Sequence, residues 1–352
     1  MKKLKDILII ILITVGMLLA IEGIIRLFWY TESKTEFLTH SAAVKMDSAN
    51  YTYRYNPNMK YREINPEFTI TYQTSSEGLR DNNTYLNREK DTSKIRIVGL
   101  GDSFTLGAGN EYDDTYLVKL ENELKINNKK VEIVKAGVSS YNQFFEYYFL
   151  KDLVKLYRPE YVFVGFLPND LFDNKPLNEV SQPKSLTTQN RDKGAIRSAA
   201  NKWKFDYQTI EFGKRIILKN DGIYKKLYEG TYRIDFFKKY SDAGPDTKKQ
   251  FEITAKLFRQ IKSLCDSNGA RLVVISIPQL YQVLKENENA IDVYGIDHYF
   301  DSVARENGFT WISTLEEFKK ESRKGTVTHF RVDGHLTPVG NTILKNAILK
   351  SF

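Results

Sequence analysis

Apolar positions recur along the chain with three different patterns, each predicting a different kind of element. Ile7 to Ile21 runs fifteen residues without a charge and, past Glu22 and Arg26, continues apolar to Trp29. As one helix, Ile7 to Trp29 is about 34 Å long, enough to cross a hydrocarbon core of roughly 30 Å. From Thr31 to about Asp91 the pattern is polar and aromatic, with Tyr51, Tyr53, Tyr55 and Tyr61, strand-like Phe68 to Tyr72, and Gly78-Leu79-Arg80-Asp81. This stretch is too structured for a linker and too irregular for a core, and is expected to lie along the main domain as an N-terminal arm.

Beyond the arm, β-branched runs alternate with helical spacing. Strands are expected at Ile95 to Leu100, Val131 to Lys135, Tyr161 to Leu167, Arg271 to Ile277 and Phe309 to Ser313. Helices are expected at Thr115 to Lys125, about Asn142 to Tyr157, Asp246 to Ser267 and Thr337 to Lys350, the last with Pro338 in its first turn. The alternation implies an α/β fold with a five-stranded parallel sheet and helices on both faces. Right-handed crossovers then set the ends of its first three strands side by side. Between about 175 and 245 the alternation stops; Lys214, Arg215, Lys219, Lys225 and Lys226 there mix with aromatics, which reads as an inserted lid or docking surface. The expected division is a membrane anchor at 1–30, the arm at 31–93, and a main domain at 94–352.

Composition narrows the classes. The 352 residues, 41% hydrophobic and 27% charged, can bury one large core. The net charge of +8 is dispersed rather than gathered into a stripe, which gives no support to nucleic-acid binding and suits an anionic membrane or polymer. Cys265 is the only cysteine and falls at a core-like helical position, so no internal disulfide can form. His40, His298, His329 and His335 form no cluster with cysteine, so no dedicated zinc site is expected. Lys2, Lys3 and Lys5 precede the apolar run, placing the N-terminus in the cytoplasm and the rest outside. No small-residue cleavage pattern follows the run and no cysteine stands near it, which favours an uncleaved anchor over a signal peptide. Glu22 and Arg26, four apart on one face, can pair near its outer end.

The candidate chemistry starts at I-R-I-V-G-L-G-D-S-F-T-L-G-A-G, Ile95 to Gly109. A strand delivers Ser103 into a glycine-permitted turn at the carboxyl edge of the sheet, where open α/β folds keep reactive groups, and Ser103 is the candidate nucleophile. Acyl transfer to a serine needs a base and a carboxylate that fixes the base's tautomer; Asp333 and His335, in the loop before the last helix, can supply both. Asn169, at the end of the third strand, can donate to an oxyanion together with backbone N–H groups of the Ser103 turn and the Gly137 to Ser140 loop. His329 has no comparable context and reads as an ordinary packing or surface histidine.

These blocks in this order resemble the SGNH (GDSL-type) hydrolase family: Gly101-Asp102-Ser103-Phe104, the loop through Ser140, Asn169-Asp170, and Asp333-Gly334-His335. The resemblance covers about Lys94 to Asn174 and Arg271 to Lys350. It implies a flavodoxin-like three-layer αβα sandwich, a Ser103, His335, Asp333 arrangement, an oxyanion hole of Ser103, Ser140 and Asn169, and ester hydrolysis or acyl transfer without metal or organic cofactor. The chain departs from the family at three places. Ser140 stands where the oxyanion glycine usually is, and its N–H can donate only if serine tolerates the backbone angle. Pro168 replaces the glycine before Asn169, and Asp333 and His335 are two apart rather than three, a spacing similar to that of extracytoplasmic sugar O-acetyl transferases and esterases. The span with its Glu-x-x-x-Arg and the Gly-Leu-Arg-Asp arm also resemble a membrane-anchored bacterial branch found among cell-envelope polysaccharide proteins. The expected function is a membrane-anchored extracytoplasmic serine esterase or O-acyltransferase acting on O-acyl, chiefly acetyl, groups of an envelope polysaccharide, with polysaccharide machinery as possible company. A lipase- or thioesterase-type hydrolase and a non-catalytic scaffold are the competing readings.

Overall fold

The computed structural model describes residues 2–29, 34–39, 44–47, 52–81, 93–127, 129–177, 208–220, 222–223, 226, 237, 240–284 and 292–351. The first element is a helix, Lys2–Trp29, long and apolar enough to cross a membrane and almost wholly exposed along its length. The arm then forms β1 (Lys34–Thr39), β2 (Val44–Asp47), β3 (Thr52–Tyr55), β4 (Lys60–Asn65) and β5 (Phe68–Gln73). These pair antiparallel as a three-stranded sheet, β1-β4-β5, and a two-stranded one, β2-β3.

Five further strands make the main sheet: β6 (Ile95–Gly101), β7 (Val131–Gly137), β8 (Tyr161–Phe166), β9 (Arg271–Ser276) and β10 (Thr310–Ser313). All pair parallel in the spatial order β7-β6-β8-β9-β10, the flavodoxin-like order in which the first strand of the sheet lies between the second and third. Side chains alternate between two apolar layers, as strand geometry requires. Val98, Leu100, Val134, Val162, Val164 and Val274 face helices Gln143–Tyr157, Pro245–Ser267 and Gly295–Asn307 through Phe149, Phe258 and Phe300. Ile97, Ile133, Phe163, Val273 and Ile275 face helices Tyr116–Ile126, Leu315–Arg323 and Pro338–Ser351 through Leu117, Phe318 and Leu344. Coverage on both faces explains why β8 and β9 read as nearly continuous apolar runs rather than as an alternation, and why the charged side chains buried in β6 and β7 are paired, Arg96 with Glu132 and Lys135 with Glu121. Cys265 is fully buried in the first layer.

Two helices, Gly295–Asn307 and Leu315–Arg323, join those expected from sequence. The expected insertion at 175–245 is described only in part, chiefly as a helix, Gln208–Leu218; Lys225 lies outside the described residues, as do His40 and Tyr51.

The Gly-Leu-Arg-Asp sequence fastens the arm to the sheet. Gly78 has φ +77°, and a Cβ there would lie 2.2 Å from the Tyr55 carbonyl oxygen, so glycine is required. Arg80, 4% exposed, donates to the carbonyls of Leu106 (2.7 Å), Gly107 (2.8 Å) and Asn110 (2.6 Å), and Asp81 accepts from Tyr112 Oη at 2.7 Å. Arg80→Ala would leave three buried carbonyls without their charged donor. It is expected to lower stability by about 3 kcal/mol or more, read as a shifted denaturant midpoint.

Candidate active site

Three sheet ends converge on Ser103. Gly101 ends β6 opposite Gly137 of β7, and its carbonyl accepts from Val138 N at 3.0 Å, which ties the next loop to the serine turn. A Cβ on Gly137 would come within 2.3 Å of Leu106 N, so the turn packs directly on that strand's backbone. Asp102 caps the short helix Ser103–Leu106 by accepting from Phe104 N at 2.8 Å. Burial pushes its carboxyl up to about 6, against the backbone N–H groups and the His335 charge, which favour the ionised form.

The loop before the last helix brings the other residues in. His335 Nε2 lies 2.8 Å from Ser103 Oγ, and His335 Nδ1 lies 2.5 Å from Asp333 Oδ1. With Nδ1–H donating to the carboxylate, Nε2 presents its lone pair to the hydroxyl. Burial disfavours the charged imidazolium, but the Asp333 hydrogen bond and the charges of Asp333, Asp102 and Glu63 outweigh it, so the His335 pKa is raised above its usual value. The Phe104 ring lies 4.9 Å from the imidazole and borders it on one side.

Asn169 follows β8 and is half-buried; its Oδ1 accepts from Gln279 Nε2 at 3.1 Å. With the oxygen engaged there, the amide's Nδ2 is turned the other way, and no acceptor for it is found among the described residues. Ser140 is exposed and adopts φ +63°, in the small left-handed region that a serine can enter at some cost. Its neighbour explains how that angle is held: the Ser139 carbonyl accepts from Tyr53 Oη at 2.7 Å, and Ser139 Oγ accepts from Tyr55 Oη at 2.9 Å.

His329 is a packing residue. Its Nε2 contacts the Pro278 carbonyl at 3.0 Å and its Nδ1 contacts Thr328 Oγ1 at 2.9 Å, and burial pushes its pKa down to about 4.

The residues that sequence reasoning missed lie in the arm and hold the loops of Asp333, Gly109 and Ser139. Glu67, in the turn between β4 and β5, accepts from the backbone N–H groups of Arg331 (2.7 Å), Val332 (3.0 Å) and Asp333 (2.8 Å). The Phe68 ring lies 5.1 Å from that of Phe330, and Tyr72 Oη accepts from Gly109 N at 2.8 Å. A glutamate two residues beyond an asparagine in a tight turn carries no local signal for a partner more than 260 positions away. The aromatic density of the arm was the one sequence feature that pointed to a packed surface.

No protein-family model matches the sequence, and no curated protein matches it. Solved structures similar to the chain include TesA, 12% identical over 73% of this chain and 97% of that one, with a TM-score of 0.43. A member of the lipolytic protein G-D-S-L family from Veillonella parvula is 10% identical over 73% of this chain and 98% of its own, with a TM-score of 0.43. A catalytic mutant of Axe2, an acetylxylan esterase from Geobacillus stearothermophilus, is 12% identical over 74% and 95%, with a TM-score of 0.42.

Proposed function

We propose that the chain is a membrane-anchored serine esterase or O-acyltransferase that acts, outside the cytoplasm, on O-acyl groups, chiefly acetyl, of an envelope polysaccharide. The observation that carries this reading is the unbroken relay from Ser103 Oγ through the His335 ring to Asp333. Ser103 Oγ attacks the ester carbonyl as His335 Nε2 takes its proton; the tetrahedral oxyanion collapses, the C–O bond breaks, and His335 returns the proton to the departing sugar hydroxyl. Water or a second sugar hydroxyl then attacks the acyl-serine with His335 again as base. The Asn169 amide and the N–H groups of Ser103 and Ser140 are assigned to the oxyanion, each donor worth about 2.7–4 kcal/mol in such sites. The exposure of Ser140 and the half-exposure of Ser103 and Asn169 suit a small acyl group carried on a bulky polymer. The three basic residues before the span favour a cytoplasmic N-terminus, with 31–93 serving as a brace and 94–352 as the catalytic domain.

The test is acetate release and acetyl transfer by the full chain from a panel of acetylated oligosaccharides, beside Ser103→Ala and His335→Ala. Loss in both variants supports the reading, and parent-level rates in both would refute it.

Two further outcomes are expected. Because His335 must be neutral to accept a proton and its pKa is raised, kcat/KM should fall as pH drops, with a midpoint above the usual value of about 6.5. Glu67→Ala frees three loop N–H groups from the carboxylate that gathers them. It should lower kcat about 10–100-fold while KM moves little, because the base is displaced rather than the substrate contacts. Steady-state kinetics across the pH range checks both.

A further inference from the structure

The helix Gln208–Leu218 presents its apolar side to the outside. Ile210 is 55% exposed, Ile216 57% and Ile217 43%, and at 100° per residue they share one arc with Phe212 and Gly213; Lys214 flanks that arc beside Ile210, and Glu211 and Arg215 lie on the far side. Such a face on a globular surface calls for a partner.

The start of this helix identifies the partner. Glu22, on the apolar N-terminal helix, accepts from Gln208 N and Thr209 N, both at 2.9 Å, and from Thr209 Oγ1 at 2.6 Å. Arg26 pairs with the same carboxylate at 2.7 Å, and the Trp29 and Phe212 rings lie 5.5 Å apart. Glu22 stands 17 residues beyond Lys5, about 26 Å up the helix, which is close to the edge of a hydrocarbon core of roughly 30 Å. The exposed isoleucines therefore begin at the depth where the span leaves the bilayer, beside Leu27, Phe28 and Trp29, which are themselves exposed. Lys214 and Lys219 are exposed on and just past the same helix, suited to lipid phosphates.

We propose that Gln208–Leu218 is an interfacial helix, seated in the outer leaflet with Ile210, Ile216 and Ile217 in lipid and its N-terminus fixed to the span by Glu22. The inference rests on Lys2–Trp29 being a membrane span. It carries a consequence for the site: Arg331 Nε donates to the Leu218 carbonyl, so the loop that bears Asp333 and His335 is fastened to a helix lying on the membrane. The candidate site then faces substrate held near the bilayer surface, rather than polymer far out in the envelope.

The test uses the full chain, with Cys265→Ala as background, reconstituted in anionic vesicles. Single cysteines carrying an environment-sensitive fluorophore replace Ile216, Val15 in the span, and Lys256 on the exposed side of its helix, each variant first matched to the parent's thermal transition. The probe at 216 is expected to be quenched by nitroxide-bearing lipid and to be about fivefold less quenched by aqueous iodide than the probe at 256. Quenching by lipid at 15 but not at 216 would overturn the inference alone. No quenching by lipid at 15 would remove the span and this inference with it. Protection of 216 from iodide without quenching by lipid would assign the face to a second copy of the chain, and would also overturn it.

Discussion

Ser103→Ala is expected to lower turnover of an O-acetyl ester by about 10⁶-fold, and His335→Ala by nearly as much, because serine and base act as one unit. The 2.8 Å contact between Oγ and Nε2 is the reason: without the imidazole the hydroxyl holds its proton, and without the hydroxyl the imidazole has nothing to activate. The double variant should therefore be no slower than either single one, and the residual rate over water reports the oxyanion donors together with substrate binding. Rates measured under single-turnover conditions check this. Multiplicative losses in the double variant would mean that the two residues act separately.

Asp333→Asn is expected to cost about 10⁴-fold in kcat while leaving the fold intact. An asparagine amide can turn its NH₂ toward Nδ1, which puts the imidazole proton on Nε2, where it faces Ser103 Oγ and blocks proton acceptance. The change also removes the charge and hydrogen bond that raise the His335 pKa, so the acid limb of the residual activity should move to lower pH. The stability consequence has the opposite sign to the activity. A raised folded pKa means the Asp333–His335⁺ pair contributes stability that is fully present below about pH 6.5 and is lost as pH rises through the folded value. Parent and Asp333→Asn should therefore differ most in Tm at acidic pH and converge toward alkaline pH, which calorimetry can follow.

The sheet was legible because burial on both faces writes itself into sequence as β-branched runs, and β6, β7, β8 and β9 are such runs. Ser103 was legible because its turn needs glycine: Gly101 has φ +154°, and a Cβ there would lie 2.0 Å from Thr105 Oγ1. Asp333 and His335 were legible as a pair because they share one loop. The helices Gly295–Asn307 and Leu315–Arg323 escaped because each is mostly polar, with Ile296, Phe300, Val303 and Ala304 in the first and Leu315 and Phe318 in the second as the apolar residues turned to the core. Glu67, Tyr53 and Tyr55 escaped for a different reason. Their partners lie 84 to 266 positions away, and a residue whose role is to hold a distant backbone leaves no periodicity and no spacing to read. The arm was expected to pack along the main domain without any named contact; its side chains grip the loops of Ser139, Asp333 and the Ser103 helix.

The most direct measurement is to trap the acyl-enzyme. The full chain in detergent is mixed with an activated acetyl ester, quenched in acid within one turnover, digested and mapped by mass spectrometry. A single acetyl group on the peptide that carries Ser103, formed faster as pH rises through the His335 titration and absent in His335→Ala, is the predicted result. Acetylation at another residue, or the same slow labelling in parent and His335→Ala, would contradict a nucleophilic Ser103 activated by His335.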